Sequence, residues 1–144
     1  GLAKRESLTG LRAFREAWQE AIYFIEKPGF VLNAENVSDA YTKYIHAPYE
    51  SNFGPYFRLL YTILSRIDGD KFLTEEEKHK YGNLLRSQLN SYELAVTGLN
   101  GLSPVAKDFS KLIVQFHLLK YLPEGTRRKT LLECYPEQAF ASRD

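Results

Sequence analysis

Residues 51–68 read SNFGPYFRLLYTILSRID, and the spacing of the large apolar side chains in this run decides the fold. Phe53, Phe57, Leu60, Tyr61, Leu64 and Ile67 recur at steps of three and four. At about 3.6 residues per turn, that spacing gathers them on one face of a helix. Ser51 and Asn52 suit the capping position, Pro55 is tolerable in a first turn, and Asp68-Gly69-Asp70 is a stop signal. No segment shows the period-two alternation of a strand bounded by hairpin turns, so helices are expected throughout.

Working outward, Leu8, Leu11, Phe14, Trp18, Ile22 and Ile25 form a similar stripe that Lys27-Pro28-Gly29 ends. A shorter helix is expected after Asn33 as N-cap, with Val37, Ala40, Tyr41, Tyr44 and Ile45 inward and Pro48 as its break. Beyond the central run, Thr74 followed by Glu75, Glu76 and Glu77 reads as a capping box with acids in the first turn. The helix it starts is expected to run through Tyr81, Leu84, Leu85, Leu89, Tyr92 and Val96, until Gly98 to Gly101 interrupt it. Ser103-Pro104 opens another, lined by Val105, Phe109, Leu112, Ile113, Phe116 and Leu119 and closed by Pro123-Glu124-Gly125. The expected architecture is all-α, a compact bundle of about five helices in one domain over residues 1–144, with residues 123–144 as a C-terminal tail packing on it.

The chain of 144 residues has 44% hydrophobic and 26% charged residues and a net charge of +1. A chain of about 150 residues buries roughly two-thirds of its surface, enough for a core of its own. Charge so nearly balanced points neither to a disordered tail nor to a dedicated polyanion binder. One cysteine, Cys134, excludes an internal disulfide framework. No apolar run is long enough to span a membrane, and Gly1 to Ser7 lack the apolar core of a signal peptide. With no methionine and Gly1 at its head, the chain reads as a piece of something longer.

His46, His79 and His117 stand far apart without metal-ligand spacing, and no Gly-rich phosphate loop is present, so neither a metal nor a cofactor is expected. No Arg precedes a His by the four to six residues seen in helical defence ribonucleases. Cys134 has no local base signature and reads as a small, partly buried thiol. Arg127-Arg128-Lys129 near Tyr121 is the best nucleic-acid candidate, a weak one. More informative are polar residues beside apolar faces: Arg58 on the flank of the central stripe, then Arg86, Asn90, Glu93 and Thr97 in a line, with Gln88 pointing into the apolar face. Such residues can hold a charged network at a binding site, or simply pin helices together.

Residues 56–64, YFRLLYTIL, ending in Ile67-Asp68, and then residues 81–94, YGNLLRSQLNSYEL, resemble the core motifs of the phage abortive-infection family of the AbiC type. Leu99-Asn100-Gly101-Leu102-Ser103, Phe109, Leu112-Ile113 and Leu118-Leu119 resemble its downstream segment, Tyr135-Pro136 with Ala139-Phe140 its end, and Gly10 to Phe14 a looser opening. Asn90 departs from the pattern, which more often has Ser there. A second departure is the absence of the hydrophobic segments that commonly precede the domain. The resemblance implies bacterial antiviral defence, in a protein on the cytoplasmic side of the inner membrane whose membrane segments lie outside this chain. The polar positions matching the motifs, Tyr56, Arg58, Tyr61, Asp68, Arg86, Gln88, Glu93 and Asn100, are the candidate binding or interaction residues, and no catalytic set transfers. The leading expectation is a non-enzymatic helical sensor or interaction domain for a phage or host component. The alternatives are a ribonuclease-type toxin with an Arg/Glu/Tyr site around Arg58, Arg86, Glu93 and Tyr92, or a purely structural homo-oligomerisation module.

Overall fold

The computed structural model describes residues 11–142; Leu8 of the first apolar stripe and Gly10 of the opening motif lie outside them. The described chain is all-helical: α1 (Leu11–Ile25), α2 (Ala34–Tyr41), a π-helical segment (Thr42–His46), α3 (Ala47–Asp68), α4 (Glu75–Ser87), α5 (Ser91–Gly101), α6 (Lys107–Gln115) and α7 (Thr126–Leu132), with short 3-10 turns at Pro104–Ala106 and Glu137–Phe140. Since α2, the π segment and α3 follow one another without a break, six helical stretches form the described bundle, close to the five expected.

Several signals act as the sequence suggests. The Asn33 side chain accepts from the Asn36 N–H at 2.8 Å and starts α2. Thr74 and Glu77 close a reciprocal capping box at the head of α4. Gly29, at φ 87°, follows the end of α1 in the left-handed region where glycine carries no steric cost.

Three boundaries differ from expectation. Pro48 does not break the chain: it lies in the first turn of α3 directly after the π turn, whose widened backbone accommodates a residue that cannot donate. Ser51 and Asn52 therefore sit inside α3 rather than capping it, and Pro55 lies in its interior. The expected fourth helix divides at Gln88 and Leu89, because Asn90 is an N-cap. Its Oδ1 accepts the N–H groups of Tyr92 and Glu93, each at 2.9 Å, while the Glu93 carboxylate accepts from the Asn90 N–H at 3.1 Å. Gly98 and Gly101, expected to interrupt this segment, are helical. The expected fifth helix ends at Gln115, and His117 beyond it has φ 52°.

The core sits around α5. Leu94, Ala95, Val96, Thr97 and Leu99 are all at most 2% exposed, so the helix is buried around its circumference, as a central helix must be. Thr97 belongs to this core and not to a surface polar stripe. Small residues make the burial feasible. Leu131 from α7 and Leu119 close on Gly98, and Ile113 and Tyr135 close on Gly101, each within a distance at which an added Cβ would collide or crowd. An aromatic layer joins α1, α3 and α6: Phe14 stacks on Phe53 at 4.5 Å, and Tyr61 meets Phe109 edge-on at 6.0 Å. Cys134 donates to the Thr130 carbonyl at 3.3 Å, and burial pushes its pKa to about 12, which keeps it a thiol. Among the described residues no helix is long and apolar enough to cross a membrane, and no group of three His, Cys, Asp or Glu could hold a metal ion.

Candidate functional site

On one side of the bundle α3 and the junction of α5 with α6 leave an open groove, two adjoining depressions of about 220 and 330 Å3 that share Phe57, Arg58, Asn100, Val105 and Ala106. The continuous helix from α2 to α3 builds one wall. Glu50, Gly54 and Arg58 follow one another at intervals of four, and Gly54 lacks the Cβ that would otherwise stand 2.5 Å from Glu50 Oε1 and 3.1 Å from Arg58 Nη1. The Glu50 carboxylate can therefore reach Arg58 across two turns, at 3.6 Å. Its other oxygen lies 3.5 Å from His46 Nε2 at the end of the π segment. All three side chains are about half exposed or more, so the pairs are each worth under about 1 kcal/mol and set the position of the guanidinium more than they stabilise the fold.

The opposite wall starts at Asn100, in the last turn of α5. Its Nδ2 donates to the Tyr41 hydroxyl at 3.1 Å, linking α5 to the end of α2. Tyr41 is 1% exposed, and burial pushes its pKa up to about 12, with the Asn100 hydrogen bond opposing the shift and the Glu50 charge adding to it. Val105, expected among the inward residues of its helix, is instead 94% exposed on the rim, while Tyr61 and Phe109 supply an aromatic floor. The groove thus offers the Arg58 cation with a loosely attached counterion, the Asp108 carboxylate, an amide and an apolar surface. That set suits recognition of a mixed polar and apolar surface.

Of the eight candidates, Arg58, Tyr61 and Asn100 meet in this groove. Tyr56 and Glu93 face each other elsewhere, between α3 and α5. The Tyr56 ring packs edge-on against Phe14 at 4.8 Å. Its buried hydroxyl faces Glu93 and Thr97 without closing a well-formed hydrogen bond to either, and burial followed by the Glu93 charge raises its pKa. Asp68 ties three helices: its carbonyl accepts from Lys78 Nζ at 2.7 Å and its carboxylate from the Gln115 amide. Arg86 is 4% exposed, donates to the His117 carbonyl at 3.2 Å and stacks on the Tyr121 ring at 4.3 Å, which holds the turn after α6. Gln88 is exposed at the end of α4, so it does not point into the apolar face. None of the described cavities holds both Arg58 and Arg86.

The groove also uses Tyr41, His46, Glu50 and Gly54, which sequence reading passed over. Their signal was present, because Glu50, Gly54 and Arg58 fall on one face once the helix is allowed to continue through Pro48. Starting that helix at Ser51 and Asn52 left Glu50 outside it and hid the relation.

No curated protein and no solved structure matches the chain. A family model described as "putative phage abortive infection protein" matches residues 48–126, which take in both central motifs, Arg58 and the α5–α6 wall of the groove. That match spans more than half of the chain, and the chain belongs to this phage abortive infection family.

Proposed function

We propose that the chain is the recognition domain of an abortive-infection protein and that the groove between α3 and the α5–α6 junction binds a phage or host component. The observation that carries this reading is the meeting of Arg58, Tyr61 and Asn100 in one open groove, with Arg58 held only by a loose pair to Glu50. A guanidinium so placed can exchange its weak partner for a better-oriented acceptor on a ligand without breaking the fold. Binding would be felt at Asn100 and, through its hydrogen bond to Tyr41, at the α2 end of the long helix. The family resemblance supports extending the route to a membrane-embedded part of a longer protein at the cytoplasmic face of the inner membrane.

The test is phage protection by cells expressing the complete protein with Arg58→Ala or Asn100→Ala, after thermal melts show each variant folded. Arg58→Ala is expected to lower protection at least tenfold, the loss of about one charge-assisted hydrogen bond, and Asn100→Ala to lower it several-fold, the loss of a neutral one. Full protection by both folded variants would reject the groove as the recognition site.

A further inference from the structure

Phe72, in the turn between α3 and α4, is 96% exposed. The turn that presents it is fixed by its own hydrogen bonds. Asp70 Oδ1 accepts the N–H groups of Phe72 and Leu73 at 2.7 and 3.1 Å, the Thr74–Glu77 capping box follows at once, and Lys78 Nζ donates to the Asp68 carbonyl at 2.7 Å. A ring already held in place loses little freedom on docking, and aromatic side chains are enriched at the centres of protein interfaces. Residues 70–77 carry four carboxylates against one lysine, so the ring stands in a negative surround.

Beside the other end of α3 is a cleft of about 530 Å3, lined mostly by apolar surface. Phe24 of α1 and Tyr44 of the π segment stack there with ring centroids 3.6 Å apart, and Val31, 64% exposed, adds an aliphatic wall. Stacked on each other, these rings offer their edges, which suit contact with the face of a third ring. A cavity of about 150 Å3 already admits a benzene ring, so there is room for a phenyl group and part of the turn that carries it. Lys27 Nζ lies 4.8 Å from the centre of the Phe24 ring and Lys43 Nζ 5.2 Å from that of Tyr44, so a lysine flanks each ring. Among the described residues no carboxylate is within ion-pair distance of either lysine, and Asp39 is the one acid on the cleft wall.

The ring and the cleft of one chain cannot meet. Lys43 and Tyr44 come just before α3 and Phe72 just after it, and the 22 residues of α3 span about 33 Å. The Arg58 groove is a poorer acceptor for this turn, because Glu50 and Asp108 on its walls would oppose the acids that follow Phe72.

We propose that copies of this chain associate head to tail, Phe72 of one seating in the Phe24–Tyr44 cleft of the next, with Glu75 and Glu76 facing Lys27 and Lys43. Knob and cleft are different patches, so the contact is heterologous and repeats from copy to copy until a ring closes or a filament grows. It uses neither Arg58 nor Asn100 and does not depend on the function proposed for the groove.

A contact built on one ring belongs to the weak end of specific interfaces, so the mass of the 144-residue chain is to be followed by sedimentation at concentrations up to about 1 mM. The mean mass is expected to rise with concentration. Phe72→Ser, and the double substitution Lys27→Glu with Lys43→Glu, alter exposed side chains only. Each is expected to weaken association at least tenfold, the scale of one buried phenyl ring or of a reversed charge pair. Mixed in equal amounts, the two variants should form a one-to-one dimer and nothing larger. The intact Phe72 of the lysine variant then fills the intact cleft of the other, and no further matched pair remains. A wild-type chain that stays monomeric throughout, either variant associating as the wild type does, or a mixture in which no dimer forms would each overturn the proposal.

Discussion

Tyr41 shows how much one side chain can couple. It closes the core at the end of α2, accepts a hydrogen bond from Asn100 across the groove, and holds a proton that burial makes hard to remove. The pKa rises from 10.0 to about 12, so the folded protein keeps this proton where the unfolded chain begins to lose it. The stabilisation is therefore fully present below pH 10 and is lost as pH climbs from about 10 towards 12. Two units correspond to at most about 3 kcal/mol. Melting curves across that range should show stability falling with pH, a fall to which the buried Cys134 thiol and Tyr56 hydroxyl also contribute, and Tyr41→Phe should make it less steep while leaving the neutral-pH fold in place. An unchanged alkaline slope in the variant would mean that Tyr41 is not held neutral by the core. At Arg58 the same scale gives the opposite lesson: a side chain that is 71% exposed contributes little to stability, and its value lies in what it presents to the groove.

Among the elements, α5 is the one whose sequence is most constrained, because it must fit between α1, α6 and α7 on all sides. Gly101 marks the tightest approach, where an added Cβ would lie 2.5 Å from both Ile113 Cδ1 and the Tyr135 hydroxyl oxygen. Gly101→Ala gains about 1 kcal/mol of helix propensity but forces Tyr135 off its hydrogen bond to the Gly98 carbonyl, which is 2.6 Å long. A net loss of about 1–3 kcal/mol is expected in chemical denaturation, the usual cost of overpacking, and a stabilised variant would show that the α5–α6 contact can relax. The start of α5 also marks where sequence stops being legible. The apolar spacing across residues 81–96 is compatible with one helix, and only the pairing of Asn90 with Glu93 announces a second one. A cap signal embedded in an uninterrupted period is outweighed on paper by periodicity. In space it prevails because the chain must turn to bring α5 into the core. At Pro48 the error ran the other way: a residue read as a breaker is accommodated by five residues of π-helix. The all-helical class, the Asn33 and Thr74 caps and the stop at Gly29 could be read from local chemistry. The groove could not, because it joins Tyr41 to Asn100, 59 positions apart, and depends on α5 being a separate helix.

At the scale of the whole molecule the question is whether residues 123–144 are an appendage or part of the core. Leu131, Tyr135, Ala139 and Phe140 are each at most 6% exposed, the Tyr135 hydroxyl donates to the Gly98 carbonyl, and the Leu119 N–H donates to the Ala139 carbonyl at 3.1 Å. One of these hydrogen bonds falls on α5 and the other on the turn after α6, and Leu131 also closes on Gly98 of α5, so the segment closes the open end of the central helix. Fully burying a large apolar side chain contributes about 1.5–3 kcal/mol, and Leu131, Tyr135 and Phe140 together approach the entire net stability of about 5–15 kcal/mol typical of a domain. A chain ending at Leu122 would expose Gly98, Leu119 and the Ile113 side of α6 to water with nothing to cover them. It is therefore expected to lose its cooperative thermal transition, retain much of its far-UV helical signal and bind a hydrophobic dye. A milder variant, Leu131→Ala, removes one knob from the Gly98 contact and should cost about 2–5 kcal/mol while keeping a single transition. If the shortened chain melted cooperatively within a few degrees of the intact one, the C-terminal segment would be an appendage. If it collapses as expected, α5 needs covering from all sides before the groove can hold its shape.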